Sequence, residues 1–340
     1  MHWFLIAPFL RTQEHPWIHH KICSPGHSVE LIVADYDHDR SRKNTSPREW
    51  LDYLRHAIRG WKAAFAYRLQ PVGFIVAFPQ VAVMVGLLKR LLFSKAPIIV
   101  WNFNLGRSYS GFKGWVAAVA LHNVDAFVVH SRREITIYAA MLGLPRDRFV
   151  FLPFLEELVE PTIAEDTENP FIVAMGTAHR DYATMFAAVA ELGYPTVVVS
   201  GPHALQGLAI PPNVTVMSGL SLVECHALCQ RARINVVPLD NDETASGQVT
   251  VRHAMMFGKS LVTTISIGTE DYVDQGVTGI LVPPRDPKAM AQAIETLWND
   301  PARRAAMGQA ARRYVLEDTN FDDAPRQMLA IMQRISAKPR

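Results

Sequence analysis

The sequence predicts an α/β protein made of two doubly wound parallel sheets, each in a domain of its own. Short apolar runs alternate with helical patterns in both halves of the chain, which is typical of parallel sheets covered by helices. The 340 residues are enough for two cores of ordinary size. Between the halves, residues 156–170 are acidic, contain two prolines and lack periodicity, which indicates a linker.

The first half begins with a compact apolar run that predicts a buried strand. An uncharged segment, Pro71 to Leu88, is long enough to raise the question of a membrane span, but its prolines divide it into a strand and a helix. The predicted strands are His2–Pro8, Val29–Ala34, Phe74–Phe78, Pro97–Trp101, Ala126–His130 and 149–152. The predicted helices are Glu14–Cys23, Pro47–Arg68, Gln80–Phe93, Gly114–Leu121 and Arg132–Leu142.

The second half alternates in the same way and ends in helices. The predicted strands are Phe171–Gly176, Thr196–Gly201, Asn213–Ser218, Ile234–Leu239, Ser260–Thr263 and Ile280–Val282. We therefore expect a first domain over 1–155, a linker over 156–170, a second domain over 171–320 and a helical tail over 321–340. In such sheets ligands bind beyond the carboxyl ends of the strands.

The composition favours a reduced, cytoplasmic protein. Cys225 and Cys229 lie four residues apart on one predicted helix, which indicates apolar thiols and not a disulfide or a zinc site. The N-terminus lacks the basic region of a signal peptide. Residues 1–150 carry 19 Lys and Arg against 10 Asp and Glu, and residues 151–340 carry 15 against 22. This asymmetry fits a first domain that meets an anionic surface or substrate, and it equally fits scattered solvated charges.

Two turns of the second half have the composition of a phosphate site. Ser246, Gly247, Gln248, Val249 and Thr250 open a helical pattern. A small turn at a helix start leaves backbone N–H groups free at the positive end of the helix dipole, where anions bind.

The second of these turns follows the first strand of that half. It contains Gly176, Thr177 and Arg180, whose guanidinium fork fits phosphate. An ordinary strand–helix turn with a surface arginine is the alternative interpretation.

The order of elements from Ser246 to Pro284 resembles a known family. Thr278-Gly-Ile-Leu-Val-Pro-Pro is similar to the closing motif of the GT-B-fold retaining glycosyltransferases that build bacterial glycans (glycosyl transferases group 1, family 4-like). The resemblance implies the GT-B architecture, with two Rossmann-like domains facing a cleft and the tail packed back on the first domain. It also implies a hexosyltransferase that moves a sugar from a nucleoside diphosphate donor to a glycan, lipid-linked or small-molecule hydroxyl acceptor, with retention.

The site residues that the resemblance implies depart from the family pattern. Arg180 stands where the family has a diphosphate-binding Lys, and Thr177 stands where it has Arg. The two glutamates of the family's Glu-x7-Glu motif fall on Ala245 and His253. The second glutamate normally holds the ribose, so His253 is the implied ribose contact. Glu243, just upstream, is the acidic candidate for catalysis.

The remaining implied contacts lie at two other strand ends. Gly219 and Leu220 match the place where backbone groups pair with the base. Asn102 lies at about the position of a family histidine that contacts the transferred sugar, although Asn102 equally suits a loop cap. Arg180, Asn102 and Glu243 are therefore the catalytic candidates.

Partners follow from the same observations. We expect a nucleotide-sugar donor, no further cofactor, no metal and no nucleic acid, because no cluster of metal ligands and no phosphate-binding lysine motif occurs. Peripheral contact with the inner face of the cell membrane is expected from the aromatic and basic helix around Trp50, Arg55, Arg59, Trp61 and Lys62, although core aromatics beside a solvated face are the commoner case.

Two other functions stay open because both motif glutamates are missing. One is a non-catalytic sugar-nucleotide-binding subunit of a glycan assembly complex. The other is a GT-B-fold sugar-nucleotide epimerase, for which the acidic pair Asp242 and Glu243 together with His253 supplies the acidic and histidine groups.

Overall fold

A computed structural model shows two compact α/β units. It describes residues 1–14, 17–22, 24–38, 45–67, 70–105, 111–240, 244–317, 319 and 321–337, without the side chains of residues 112 and 113. Unit 1 comprises Met1–Leu152 and Asp322–Arg340, and unit 2 comprises Pro153–Phe321.

Both units are built from alternating strands and helices. The strands are β1 His2–Ile6, β2 Ser28–Ile32, β3 Val72–Ala77, β4 Ile98–Trp101, β5 Ala126–Val129, β6 Phe149–Phe151, β7 Ile172–Met175, β8 Thr196–Val199, β9 Val214–Met217, β10 Ile234–Val237, β11 Leu261–Thr264 and β12 Ile280–Val282. The α-helices are α1 Pro47–Ala66, α2 Pro79–Leu91, α3 Gly111–Leu121, α4 Arg132–Leu142, α5 Tyr182–Leu192, α6 Leu222–Arg231, α7 Gln248–Met256, α8 Pro287–Asn299, α9 Pro301–Glu317 and α10 Ala324–Ser336.

Each unit has one parallel six-stranded sheet. The strand order is β2-β1-β3-β4-β5-β6 in unit 1 and β12-β11-β10-β7-β8-β9 in unit 2. The central strands β4, β5, β10 and β11 are buried at every residue, because helices cover both faces of a doubly wound sheet. The reversal of strand order in each sheet confirms the predicted fold class.

Local sequence rules account for several helix starts. Ser46 caps α1 in a capping box with Glu49, and Pro47 occupies the first turn, where its missing N–H is not needed. Ser221 and Glu224 form the same box at α6. Helix α4 ends at Gly143 in the left-handed conformation.

The helix predicted over Glu14–Cys23 is wrong for the residues that the structure describes. They form only a 3₁₀ turn, Ile18–Lys21, which has no side-chain cap. Trp17 and His19 pack their rings against each other there, and consecutive bulky rings have modest helix propensity. The segment from Pro71 to Leu88 is divided between strand β3 and helix α2, as predicted, and does not form one long helix. No described helix is long and apolar enough to cross a bilayer.

The acidic segment 156–170 has neither helix nor strand, yet ion pairs hold it to unit 2. The Glu165 carboxylate lies 3.1 Å from Arg233, 3.6 Å from Lys259 and 3.8 Å from Arg304. Gln230 Oε1 accepts the backbone N–H groups of residues 162 and 163. Charges and backbone hydrogen bonds therefore fix this segment in the absence of any periodic pattern.

Helix α9 crosses the end of α7 at very short range. A Cβ atom at Gly308, on α9, would collide with the backbone carbonyl of Gly258, the glycine that follows α7 in the left-handed conformation. Arg312 extends the contact by donating to the carbonyl of Met256. The position of α7 therefore depends on a glycine in the interior of another helix.

Gly308→Ala should lower the free energy of unfolding by about 1–3 kcal/mol, the usual penalty for overpacking. A glycine-to-alanine change in an exposed helix interior normally raises stability by about 1 kcal/mol, so the sign of the change is diagnostic. Urea denaturation measures the difference, with Gln309→Ala, at an exposed position of the same helix, as the control. A stabilised Gly308→Ala variant would show that α9 is not in close contact with α7.

Candidate functional site

A cavity of about 320 Å³ lies in unit 2, at the carboxyl ends of its central strands. This is the edge at which doubly wound sheets bind ligands. Seven of the residues selected from the sequence line it: Gly176, Thr177, Gly219, Leu220, Val249, Thr250 and His253. Parallel strands bring these residues together because each strand delivers its following loop to the same edge of the sheet.

The loop after β7 forms one wall. Gly176 has φ 112°, and its carbonyl accepts hydrogen bonds from the Tyr182 hydroxyl at 2.6 Å and the Ser200 hydroxyl at 2.9 Å. A side chain at Gly176 would collide with the Arg180 guanidinium. The glycine is therefore required both by its backbone conformation and by the arginine packed against it.

Arg180 connects this loop to helix α7 by hydrogen bonds, and it does not line the cavity. Its Nε donates to the Met175 carbonyl at 2.9 Å, Nη1 to the Ala178 carbonyl at 2.9 Å and Nη2 to Thr250 Oγ1 at 3.0 Å. Burial lowers the pKa of the guanidinium from its ordinary value, although arginine stays charged. Within the described part of the chain, these bonds use three of its five N–H groups.

The start of α7 forms the second wall. Gly247 precedes the helix with φ 82°, and a Cβ atom there would lie 2.9 Å from Leu239 Cδ1. No described side chain caps the Gly247 position at this helix start. The backbone N–H groups of Val249 and Thr250, at the positive end of the helix dipole, lie beside the cavity that these two residues line.

Two predicted residues of this turn face elsewhere. The Gln248 side chain is buried and donates to the Tyr272 hydroxyl at 3.4 Å. The Ser246 hydroxyl is buried and makes no hydrogen bond to the described residues. Gly268 packs so closely on the Ser246 backbone that a side chain at position 268 would collide with it. These contacts make Ser246 and Gln248 supports of the turn.

The third wall comes from the loop after β9 and from α6. Gly219 has φ 72°, and Leu220 follows it. Leu222, Cys225 and Cys229 extend the wall along α6. Burial raises the pKa of the Cys229 thiol to about 12, and burial also raises the pKa of Cys225. Both thiols are therefore protonated at neutral pH and give this wall an apolar surface.

His253 lies on the same cavity, one helical turn beyond Thr250. Its Nε2 is 3.1 Å from Glu156 Oε2, and its ring meets the His226 ring edge-on at 4.5 Å. Burial, followed by the proximity of His253, lowers the pKa of His226.

The candidates of the first half lie in unit 1. Asn102 follows β4 with φ 55°, a conformation that asparagine tolerates better than most residues. Its carboxamide oxygen is 2.6 Å from His130 Nε2, while His130 Nδ1 is 2.9 Å from the Leu152 carbonyl. Burial lowers the pKa of His130 to about 4. A neutral imidazole carries a single N–H and donates to one of these two oxygens, so Asn102 is a close contact of a buried histidine. The third catalytic candidate, Glu243, lies outside the described residues.

Several residues that line the cavity, and one that contacts a lining residue, were missed. Ser200 follows the largely buried strand β8 and Ser218 follows the largely exposed strand β9, and small polar residues at strand ends were the available sequence indication. Cys225 was interpreted only as a packing thiol. Glu156 had no indication at all, because it lies in the aperiodic segment far from His253 in sequence. Among the residues of described placement, no three His, Cys, Asp or Glu are grouped as metal ligands.

Comparison with known proteins places this site in a recognised domain. Residues 170–300 match the family model of glycosyl transferases group 1. D-rhamnosyltransferase WbpZ of Pseudomonas aeruginosa is 30% identical over 125 residues, which are 35% of this chain and 32% of that protein. The match therefore spans about a third of that relative's length.

Solved structures extend the likeness to the whole chain. Sucrose-phosphate synthase of Thermosynechococcus elongatus aligns with a TM-score of 0.73 at 17% identity, covering 99% of this chain and 100% of that chain. Alr3699/HepE of Anabaena, solved in complex with UDP, aligns with a TM-score of 0.68 at 12% identity, covering 98% and 100%. Both are similar to this chain in fold, which confirms the GT-B expectation. The chain therefore has the GT-B fold, and its residues 170–300 match the family of glycosyl transferases group 1.

Proposed function

We propose that this protein is a glycosyltransferase that moves a sugar from a nucleoside diphosphate donor to a hydroxyl acceptor. The cavity within the region that matches glycosyl transferases group 1 carries the proposal, because Val249 and Thr250 in the first turn of α7 line it. Backbone N–H groups at a helix start bind diphosphate without a dedicated side chain. HepE, which has a similar fold, has been solved with UDP-glucose.

In this proposal the diphosphate meets the first turn of α7, and the buried guanidinium of Arg180, which donates to Thr250 Oγ1, adds positive charge behind that turn. As the bond to the sugar breaks, negative charge grows on the leaving diphosphate, and fixed donors stabilise that charge without reorganising. The helix dipole and the guanidinium supply this stabilisation in place of a metal ion. Retention and transfer of a hexose are proposed on the family resemblance.

Acceptor recognition is assigned to unit 1. Asn102 presents a carboxamide at the carboxyl end of β4, held by His130. A carboxamide both donates and accepts, so it suits the hydroxyl groups of a sugar or an acceptor alcohol.

A non-catalytic nucleotide-binding subunit is the second candidate, because Ala245 and His253 occupy the positions of both motif glutamates. An epimerase is the third. Incubation of the purified protein with UDP-, GDP-, ADP- and TDP-sugars and a hydroxyl acceptor tests all three functions. We expect free nucleoside diphosphate together with a glycosylated acceptor. An altered donor sugar would indicate epimerisation, and binding without turnover would indicate the subunit.

Arg180→Ala should weaken nucleoside diphosphate binding by up to about 1.5–3 kcal/mol, the scale of a charged hydrogen-bonding group, because it removes a positive charge near the site and releases Thr250. Titration calorimetry measures the affinity, with Arg303→Ala on the exposed surface of α9 as the matched control. Circular dichroism checks that the variant still folds without the Arg180 hydrogen bonds between the loop and α7. Unchanged affinity in a folded Arg180→Ala protein would remove Arg180 from the site.

Peripheral contact with an anionic membrane is also proposed, on a surface other than α1. Trp61 is 5% exposed and Trp50 packs against the core of unit 1. Arg59 is committed to the Val33 carbonyl and Asp35. The aromatic residues of α1 are therefore core residues and not a membrane face.

The end of α2 and the residues that follow it fit a membrane surface better than α1 does. Leu91, Leu92 and Phe93 are 70%, 41% and 93% exposed, and the exposed Arg90 and Lys95 flank them. Phe93 also has φ 49°, an unfavourable conformation for a residue with a side chain. An exposed apolar run beside cations matches the apolar interior and the anionic surface of a bilayer.

Phe93→Ser should reduce binding to anionic vesicles by up to about 1.5–3 kcal/mol, the free energy of burying a phenylalanine. Co-sedimentation with phosphatidylserine-containing and neutral vesicles measures the effect, and binding should fall with salt. Ile210→Ser is the control, because Ile210 is an exposed apolar residue of unit 2. A wild-type protein that stays in the supernatant at low salt would refute the membrane contact.

A further inference from the structure

A long stretch of unit 2 carries no charge. Residues 192–223 contain no Asp, Glu, Lys or Arg, although 19% of the whole chain is charged. The stretch is not simply core, because it includes apolar side chains that are exposed: Ile210, Val216, Met217, Leu222 and Val223. Leu222 and Val223 are 62% and 77% exposed. An exposed apolar surface without charges has the composition found at the centre of protein–protein interfaces.

Strand β9 lies within this stretch and forms one edge of the sheet in unit 2. On its inner side, the carbonyls of Asn213 and Met217 accept from the backbone N–H groups of Thr196 and Ser200. Backbone groups of alternate residues in a strand point to opposite sides, so the N–H and the carbonyl of Val216 point away from β8. No described residue pairs with these two groups.

The other three sheet edges are protected. Strand β2 carries the charged residue Glu30. In β12 the backbone N–H of Leu281 donates to Gln275 Oε1 at 2.6 Å. Strand β6 has only three residues, and the Arg132 guanidinium covers the ring of Phe151 within it. Such devices prevent the pairing of sheet edges, and in the described structure β9 has neither a charge nor a covering side chain.

We propose that β9 is the interface through which two copies of this chain associate. The two β9 strands lie antiparallel across a two-fold axis, with Val216 opposite Val216. Each Val216 N–H then donates to the Val216 carbonyl of the other copy, as in the hydrogen-bonded pair of an antiparallel ladder. Thr215 faces Met217 of the second copy, and Leu222 and Val223 at the start of α6 extend the apolar contact. Because both copies use the same surface, the assembly closes as a dimer.

Both the backbone and the charge of this surface favour a second copy over a membrane. A lipid bilayer would leave the Val216 backbone groups without partners, and open sheet edges therefore do not face hydrocarbon. Residues 192–223 also lack the Lys and Arg that attract anionic lipids. An uncharged surface meets its own copy without the like-charge repulsion that a charged surface would create. The pairing also places two valines opposite each other, and β-branched residues make favourable cross-strand contacts.

The dimer goes beyond the proposed function and does not depend on it. Gly219 and Leu220, which line the cavity, follow β9 directly, so the interface borders the candidate site. Association is nevertheless a property of the protein without nucleotide. Measurements in the absence of nucleotide and sugar therefore test the dimer separately from glycosyl transfer.

Sedimentation velocity of the full chain, from nanomolar to high micromolar concentration, tests the interface. We expect an equilibrium between monomer and dimer. Val216→Lys should raise the dimer dissociation constant by at least about tenfold, because it places two like charges opposite each other and removes a valine from the contact. Val216→Pro should weaken the dimer as well, because it removes the outward N–H without removing a hydrogen bond to β8.

A control and a charge exchange make the test specific. Val277→Lys changes another exposed apolar residue of unit 2 and should leave the dissociation constant unchanged. Val216→Lys and Val216→Glu should each be monomeric at a concentration where wild type is dimeric. Their equimolar mixture should form a heterodimer, because opposite charges then face each other across the pair. A misfolded variant would not regain association on mixing, and circular dichroism checks the fold of each variant.

Every other outcome overturns the proposal. A wild-type protein that stays monomeric over the whole concentration range lacks the interface, whatever other protein binds there. A dimer that both Val216→Lys and Val216→Pro leave intact uses another surface. If the folded Lys and Glu variants stay monomeric when mixed, residue 216 does not face its own copy. A wild-type protein that forms open chains excludes two-fold closure.

Discussion

Both ends of helix α7 pack so closely against neighbouring residues that only glycine fits at the contacts. The candidate site depends on this packing. At the start, Gly247 lies against Leu239 and Gly268 against the backbone of residue 246. At the end, Gly258 meets Gly308 of α9. Close packing of this kind leaves little room for movement, so α7 is held in place against its neighbours. The first turn of α7, with Val249 and Thr250, is therefore held at the cavity by close packing.

The acidic segment before β7 illustrates how a stretch without secondary structure becomes ordered. Glu165 faces three cations and Asp166 pairs with Arg231 at 2.6 Å. Isolated surface ion pairs contribute little, but a network that includes half-buried partners such as Lys259 restricts the chain more strongly. The segment also delivers Glu156 to His253. The acidic residues of this segment therefore have a structural role, which the composition alone did not indicate.

The wall of the cavity combines chemically different groups. The start of α7, with the buried Arg180 guanidinium bonded to Thr250 behind it, suits an anionic group. His253 also lines the cavity, and its ring lies 3.1 Å from the Glu156 carboxylate. Gly219, Leu220 and Cys225 present small or apolar groups, which suit a flat, uncharged ring. A nucleoside diphosphate combines charged, polar and flat parts, which supports the proposed donor.

The sequence by itself determined the two doubly wound sheets, because strand and helix periodicities are local properties of the chain. It also located residues such as Gly176, Gly219 and Thr250, since parallel strands always deliver their following loops to one edge. It mispredicted a helix over 14–23, where ring packing prevailed over a weak helical pattern. Only the tertiary structure turned Arg180 onto Thr250, buried Trp61 in the core and brought Glu156 to His253. Those contacts join residues far apart in the chain, and packing, which no local pattern encodes, decides which of them form.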